Sequence, residues 1–190
     1  MTTLVANGCS FTFGSELADN VKSYKKPSAH TWSALLAKSN NMDYICLANP
    51  GASNDEIART TIEKTWPLIQ HKQDFIVAIM WTFPSRYEFR FDFDVGEKNK
   101  NYLSVSPWTI QDANEIAQYL SRYGKSDNSF IESMNTVNKK LNSAGILDFI
   151  KQWYKFFGNS LYTETLHAFK NIVFLQNHLE RYDIPYWFTF

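Results

Sequence analysis

Four short apolar runs set the architecture open to this chain. Leu4 to Asn7, Tyr44 to Ala48, Asp74 to Trp81 (DFIVAIMW) and the closing YWFTF are each too brief for a helix and are bounded by turn signals such as Gly8, Asn49-Pro50-Gly51 and Asp183-Ile184-Pro185. Stretches of helical spacing lie between them. TWSALLAKS puts Trp32, Leu35 and Leu36 on one helical face, and Leu161 to Tyr182 repeats apolar residues as a long amphipathic helix does. Strand, helix, strand is the pattern of a parallel sheet, because parallel neighbours need a crossover long enough to hold a helix. DFIVAIMW, the most apolar run, is expected at the sheet's centre. The expected fold class is α/β, a three-layer flavodoxin-like parallel sheet with helices on both faces.

Local signals mark the elements. Ser53-Asn54-Asp55-Glu56 reads as a capping box, with Ser53 as the cap and Glu56 reaching back to the cap's N–H. The helix it opens runs through Ile57 and Ile62 towards Leu68, where Pro67 is expected to end or bend its last turn. In SRYEFRFDFDVG, charges alternate with aromatics, which predicts an extended hairpin or arm with one apolar face. Ser129-Phe130-Ile131-Glu132 is a second capping pattern, opening a helix expected to pass Gly145 and reach Phe157. The reading is a single domain over residues 1–190 with an insertion at about 83–128. Its last strand stops at Phe190, where either the domain ends or the sequence is cut short of a further segment.

Composition narrows the partners. The chain has 190 residues, with 19 basic and 19 acidic side chains, so no net charge steers it to nucleic acid or an anionic membrane. No run nears the roughly 18 apolar residues that span a bilayer, and the amino terminus has no signal-peptide pattern. A soluble, cytoplasmic protein is expected. Cys9 and Cys46 do not form a disulfide framework, and both are read as reduced. No His or Cys pair has metal-ligand spacing and there is no phosphate loop, so neither metal nor cofactor is expected.

In a doubly wound sheet ligands bind outside the carboxyl ends of the strands. The loops expected there are Gly8 to Ser15, Asn49 to Asn54 and Trp81 to Arg86, which hold the chain's most distinctive polar and glycine residues. Two glycines bracket Ser10 in GCSFTFG, which presents it either as a turn serine or as a nucleophile. Cys9 is the weaker candidate nucleophile, since alternation at the end of a buried strand turns it inward.

GCSFTFG resembles the first block of the SGNH (GDSL-like) hydrolase superfamily, a nucleophilic serine after the first strand. LANPGASNDEI resembles the second block, whose glycine lends a backbone N–H to the oxyanion hole, and about 41 residues separate Ser10 from Gly51. With the apolar strand ending in Trp81-Thr82 and followed by Arg86, the combination resembles divergent members found in bacteriophage genomes. The resemblance implies that Ser10 attacks an ester carbonyl while its own N–H and that of Gly51 hold the oxyanion, each donor worth about 3 to 4 kcal/mol. Thr82 stands where the third block places an asparagine, and its hydroxyl is the candidate third donor. The implied substrate is a small-molecule or carbohydrate ester.

The departures define the alternative. Cys9 replaces an aspartate, no asparagine lies in Met80 to Ser85, and the DxxH block that supplies the family's Asp and His is not in these 190 residues. Among the four histidines, His71 is expected at the far end of the sheet, His167 and His178 in packing or surface roles, and His30 in a loop near Ser10. The rival reading is a catalytically inactive binding or structural protein of the same fold, virion-associated if of phage origin.

Overall fold

The computed structural model describes residues 1–20, 26–92, 101–110, 139, 141–142 and 145–190. Four strands, β1 (Thr3–Asn7), β2 (Asp43–Cys46), β3 (Phe75–Met80) and β6 (Tyr186–Thr189), form one parallel sheet in the order β2-β1-β3-β6. β3 is an interior strand, as its unbroken apolar sequence predicts. The fold class is α/β, with the connections supplied by α2 (Trp32–Ser39), α3 (Asn54–Gln70) and α5 (Leu161–Arg181). A one-turn helix, α1 (Ser10–Phe13), follows β1 directly.

Strand alternation divides the core. Val5, Val77 and Ile79 pack with Ile57 and Ala58 of α3 and with Leu175 and Leu179 of α5. Leu4 and Ala78, one residue out of phase, pack with Ala37 of α2 on the other side. Here the expected face of α2 is corrected. Leu35 and Leu36 are exposed, while Ser33 and Ala37 are buried. Small residues let the helix lie close to the sheet, and Ser33 Oγ bonds the Tyr44 hydroxyl at 2.8 Å.

Asn7, buried at the end of β1, fastens α3 beneath the sheet. Its Nδ2 donates to Ile57 O (3.1 Å), Thr60 Oγ1 (2.9 Å) and Thr61 Oγ1 (2.9 Å), and its Oδ1 accepts from the Gly8 N–H (2.8 Å). α3 continues through Pro67 to Gln70, so the proline does not end it. Lying in the final turn, it removes a single backbone bond and little helix remains to be lost.

β4 (Tyr87–Arg90) and β5 (Tyr102–Val105) make the expected hairpin, antiparallel, after β3. Its apolar face packs with α4 (Ile146–Trp153) in a second core around Tyr87, Val105, Leu147, Ile150 and Tyr154. A continuous helix across Gly145 is corrected: Gly145 adopts φ +70 and is the cap from which α4 starts. The left-handed region favours glycine and ends a helical path. α4 passes into a π turn at Tyr154–Gly158. The expected start of a helix at Ser129 and the arm's residues 111–128 lie outside the described residues. No helix among the described residues is long and apolar enough to cross a membrane.

Candidate functional site

The carboxyl ends of β1, β2 and β3 carry the three loops expected there. Register pairs Asn7 with Ile79, so the chain leaving β1 at Gly8 runs beside the chain leaving β3 at Met80. A Cβ on Gly8 would stand 2.9 Å from Met80 O and would also strike Thr12. Only a glycine permits that approach, and through it Cys9 and Ser10 come beside Thr82.

The second loop joins them by backbone. Asn49 N–H donates to Gly8 O (3.2 Å), and Ala52 N–H closes a turn onto Asn49 O (3.0 Å) around Pro50 and Gly51. Gly51 has φ +84, the positive angle required at the third position of a type II turn after proline. Nothing lies within 4 Å of where its Cβ would be. Turn conformation explains this glycine, and the space where a side chain would begin is open.

The third loop is held by side chains. Asn54 Nδ2 donates to Thr82 O (3.2 Å) while Thr82 N–H donates to Asn54 Oδ1 (2.9 Å). Arg86 Nη1 donates to Thr82 Oγ1 (2.9 Å) and to Ala52 O (3.3 Å), which ties the second and third loops together. A guanidinium accepts no hydrogen bond, so Thr82 must receive here and keeps its own proton for another acceptor.

That acceptor is the Cys9 thiol. Cys9 caps α1, and burial is the largest influence on its ionisation, raising its pKa. Hydrogen bonds from the Thr82 hydroxyl and the Phe11 N–H, the charge of Arg86 and a bond from Ser10 together outweigh burial and hold the thiol below its ordinary pKa. Cys9 is only 2% exposed, as alternation predicts. Cys46 differs: burial pushes it up. The two thiols are unpaired in a disulfide.

The capping box is present with a difference. Ser53 Oγ accepts from Glu56 N–H (3.2 Å), but the Ser53 N–H donates to Ser104 Oγ (3.2 Å) of the hairpin. The buried Glu56 carboxylate accepts from Asn49 Nδ2 (2.9 Å) and Ser104 Oγ (2.6 Å), so it braces the second loop against β5.

Of the histidines, His30 is exposed, its backbone N–H donating to Ser28 Oγ (3.0 Å). His71 caps the carboxyl end of α3, away from the loops. His167 is the residue sequence reasoning undervalued. α5 runs opposite to β6, so its first turns stand at the carboxyl end of the sheet, and there His167 Nε2 meets Asp55 Oδ2 at 2.8 Å. Asp55 also accepts from Asn171 Nδ2 (3.1 Å) and the Glu88 N–H (3.2 Å). A helix leading into a terminal parallel strand was the available signal. Surface grooves of about 220 Å³ between α3 and α5 and about 270 Å³ near Lys72 and Pro185 are not lined by Ser10, Gly51 or Thr82. No group of three metal-ligating side chains occurs among the described residues.

Residues 15–156, about three quarters of the chain, match DUF6071, a family of unknown function, and the chain belongs to that family. The match begins beyond Ser10 and includes Gly51, Thr82 and Arg86. A search of curated proteins finds no match.

Proposed function

We propose that this DUF6071 member is a serine hydrolase of the SGNH type, acting on a small-molecule or carbohydrate ester, with Ser10 as nucleophile. One observation carries the reading. In the order β2-β1-β3-β6, β1 connects outward to β2 on one side while β3 lies on its other side, so the gap between β1 and β3 is where the strand order reverses. This order supports a flavodoxin-like reading of the sheet, in which that gap would be the ligand crevice. Ser10 follows β1 and Thr82 follows β3, and the hydroxyls of both bear on the ionisation of the Cys9 thiol.

In this reading Ser10 Oγ adds to the ester carbonyl and loses its proton to a base, and the alcohol departs carrying a proton. Water then hydrolyses the acyl-serine and restores the hydroxyl. The Ser10 and Gly51 N–H groups are the proposed oxyanion donors, joined by the Thr82 hydroxyl when its single proton turns from Cys9 to the oxyanion. Arg86 occupies the Thr82 oxygen as an acceptor, which leaves its one proton to turn between the Cys9 thiol and the oxyanion. The Asp and His of the C-terminal block remain expectations of the resemblance. Hydrolysis of p-nitrophenyl acetate and acetylated sugars by the chain, lost in Ser10→Ala with the fold intact, is the expected result. Equal rates for the two proteins would refute the assignment.

One observation favours the second reading, a binding or structural protein that keeps the fold, virion-associated if phage-derived. The group that reaches Ser10 is the Cys9 thiol, and among the described residues no imidazole is bonded to Ser10.

A further inference from the structure

Arg86 differs from the chain's other well-placed arginine. Arg59 is matched by two carboxylates, Glu63 Oε2 at 3.0 Å and Glu88 Oε1 at 2.6 Å. Arg86 is half-buried at the crevice, and its hydrogen bonds go to the neutral Ala52 O and Thr82 Oγ1. Among the described residues no carboxylate pairs with it. Both bonds use Nη1, so among the described residues Nε–H and the Nη2 protons are left for a ligand. Its charge is felt at the Cys9 thiol, next to Ser10. Phe83 lies with its ring 5.4 Å from the guanidinium carbon. Phe83 and Phe11, which directly follow Thr82 and Ser10, are 59% and 67% exposed.

We infer that the crevice selects an anionic ester, whose carboxylate, phosphate or sulfate pairs with Arg86 while its apolar or flat body lies against Phe11 and Phe83. A half-desolvated guanidinium with unused donors and no counter-ion gains more from an anion than a solvated surface arginine does. Its planar fork suits two acceptor oxygens at once. The word ester rests on the hydrolase reading. The anion does not, since Arg86 stands at the crevice whether or not Ser10 reacts.

The test uses the Ser10→Ala chain, so that nothing is consumed, with monomethyl succinate as anionic probe and dimethyl succinate as its neutral counterpart. Both are titrated by amide NMR. The expected result is binding at least about tenfold tighter for the anion, shifts at Gly51, Thr82 and Arg86, and loss of the preference on adding Arg86→Gln. Equal binding of the two probes overturns the inference, as does a preference that survives Arg86→Gln. Should Arg86→Gln fail to fold, added salt on the Ser10→Ala chain decides: the preference must fall as ionic strength rises, and a salt-independent preference refutes the pairing. An intact chain that binds the anion selectively but never cleaves it refutes the hydrolase reading alone.

Discussion

Asn54 and Thr82 exchange two hydrogen bonds, the side-chain amide of the first residue of α3 pairing with the backbone of the first loop residue beyond Trp81 as a strand would. Both groups are buried. This amide fixes the level at which the third loop leaves β3, and so where the Thr82 hydroxyl meets Cys9.

Asn54→Ala therefore leaves a buried N–H and a buried carbonyl of Thr82 unpaired, and is expected to cost about 2 to 4 kcal/mol, read by urea unfolding. Asn54→Asp keeps the acceptor but sets a carboxylate against Thr82 O. That contact raises the carboxyl's folded pKa, so its stability is present in acid and lost as pH rises through that pKa. A pH-independent loss would contradict the pairing.

Arg59 holds Glu88 by a fork, Nε to Oε2 at 2.8 Å and Nη2 to Oε1 at 2.6 Å, and the Glu88 side chain is only 6% exposed. Burial already pushes the Glu88 carboxyl up, against the pull of Arg59. In Arg59→Met the carboxyl rises further, and stability is present at acid pH and lost as pH climbs through the raised value. The expected cost near neutrality is about 3 kcal/mol, shrinking in acid. Arg59→Met with Glu88→Leu should recover most of it, as unfolding at about pH 4.5 and about pH 8 will show.

Cys9 should ionise at lower pH than Cys46, because hydrogen bonds and Arg86 outweigh burial at the first while burial prevails at the second. The lowered folded pKa of Cys9 means that its ionised form adds stability in alkali, and that this contribution is lost as pH falls through the folded pKa. Alkylation against pH, read peptide by peptide, should place the Cys9 midpoint below that of Cys46. Thr82→Val, which removes the hydroxyl donor, should move the Cys9 midpoint up and leave Cys46 unchanged.

The sheet was legible because buried parallel strands are written as short apolar runs, and Gly8, Pro50 and Pro185 punctuate them. The Ser53 cap was legible too, since it is a local exchange over three residues. What escaped depends on distant partners. Glu56 faces Asn49 and Ser104 because β5 arrives beside α3, which no spacing announces. Leu35 and Leu36 look like core residues until Ser33 finds Tyr44. Arg86 and Asn54 stood within the motifs, but their partner did not show there: both act through Thr82, 4 and 28 residues away. His167 reads as a packing or surface residue, since its partner Asp55 lies 112 residues earlier.

The most direct measurement is fluorophosphonate labelling of the 190-residue chain, located by peptide mass spectrometry, beside Ser10→Ala. A nucleophile placed at the β1–β3 crevice predicts one phosphonylated peptide, GCSFTFG, modified at Ser10 and absent from the variant. An unlabelled chain, or a label that persists in Ser10→Ala, would contradict the account and leave this crevice as a binding site.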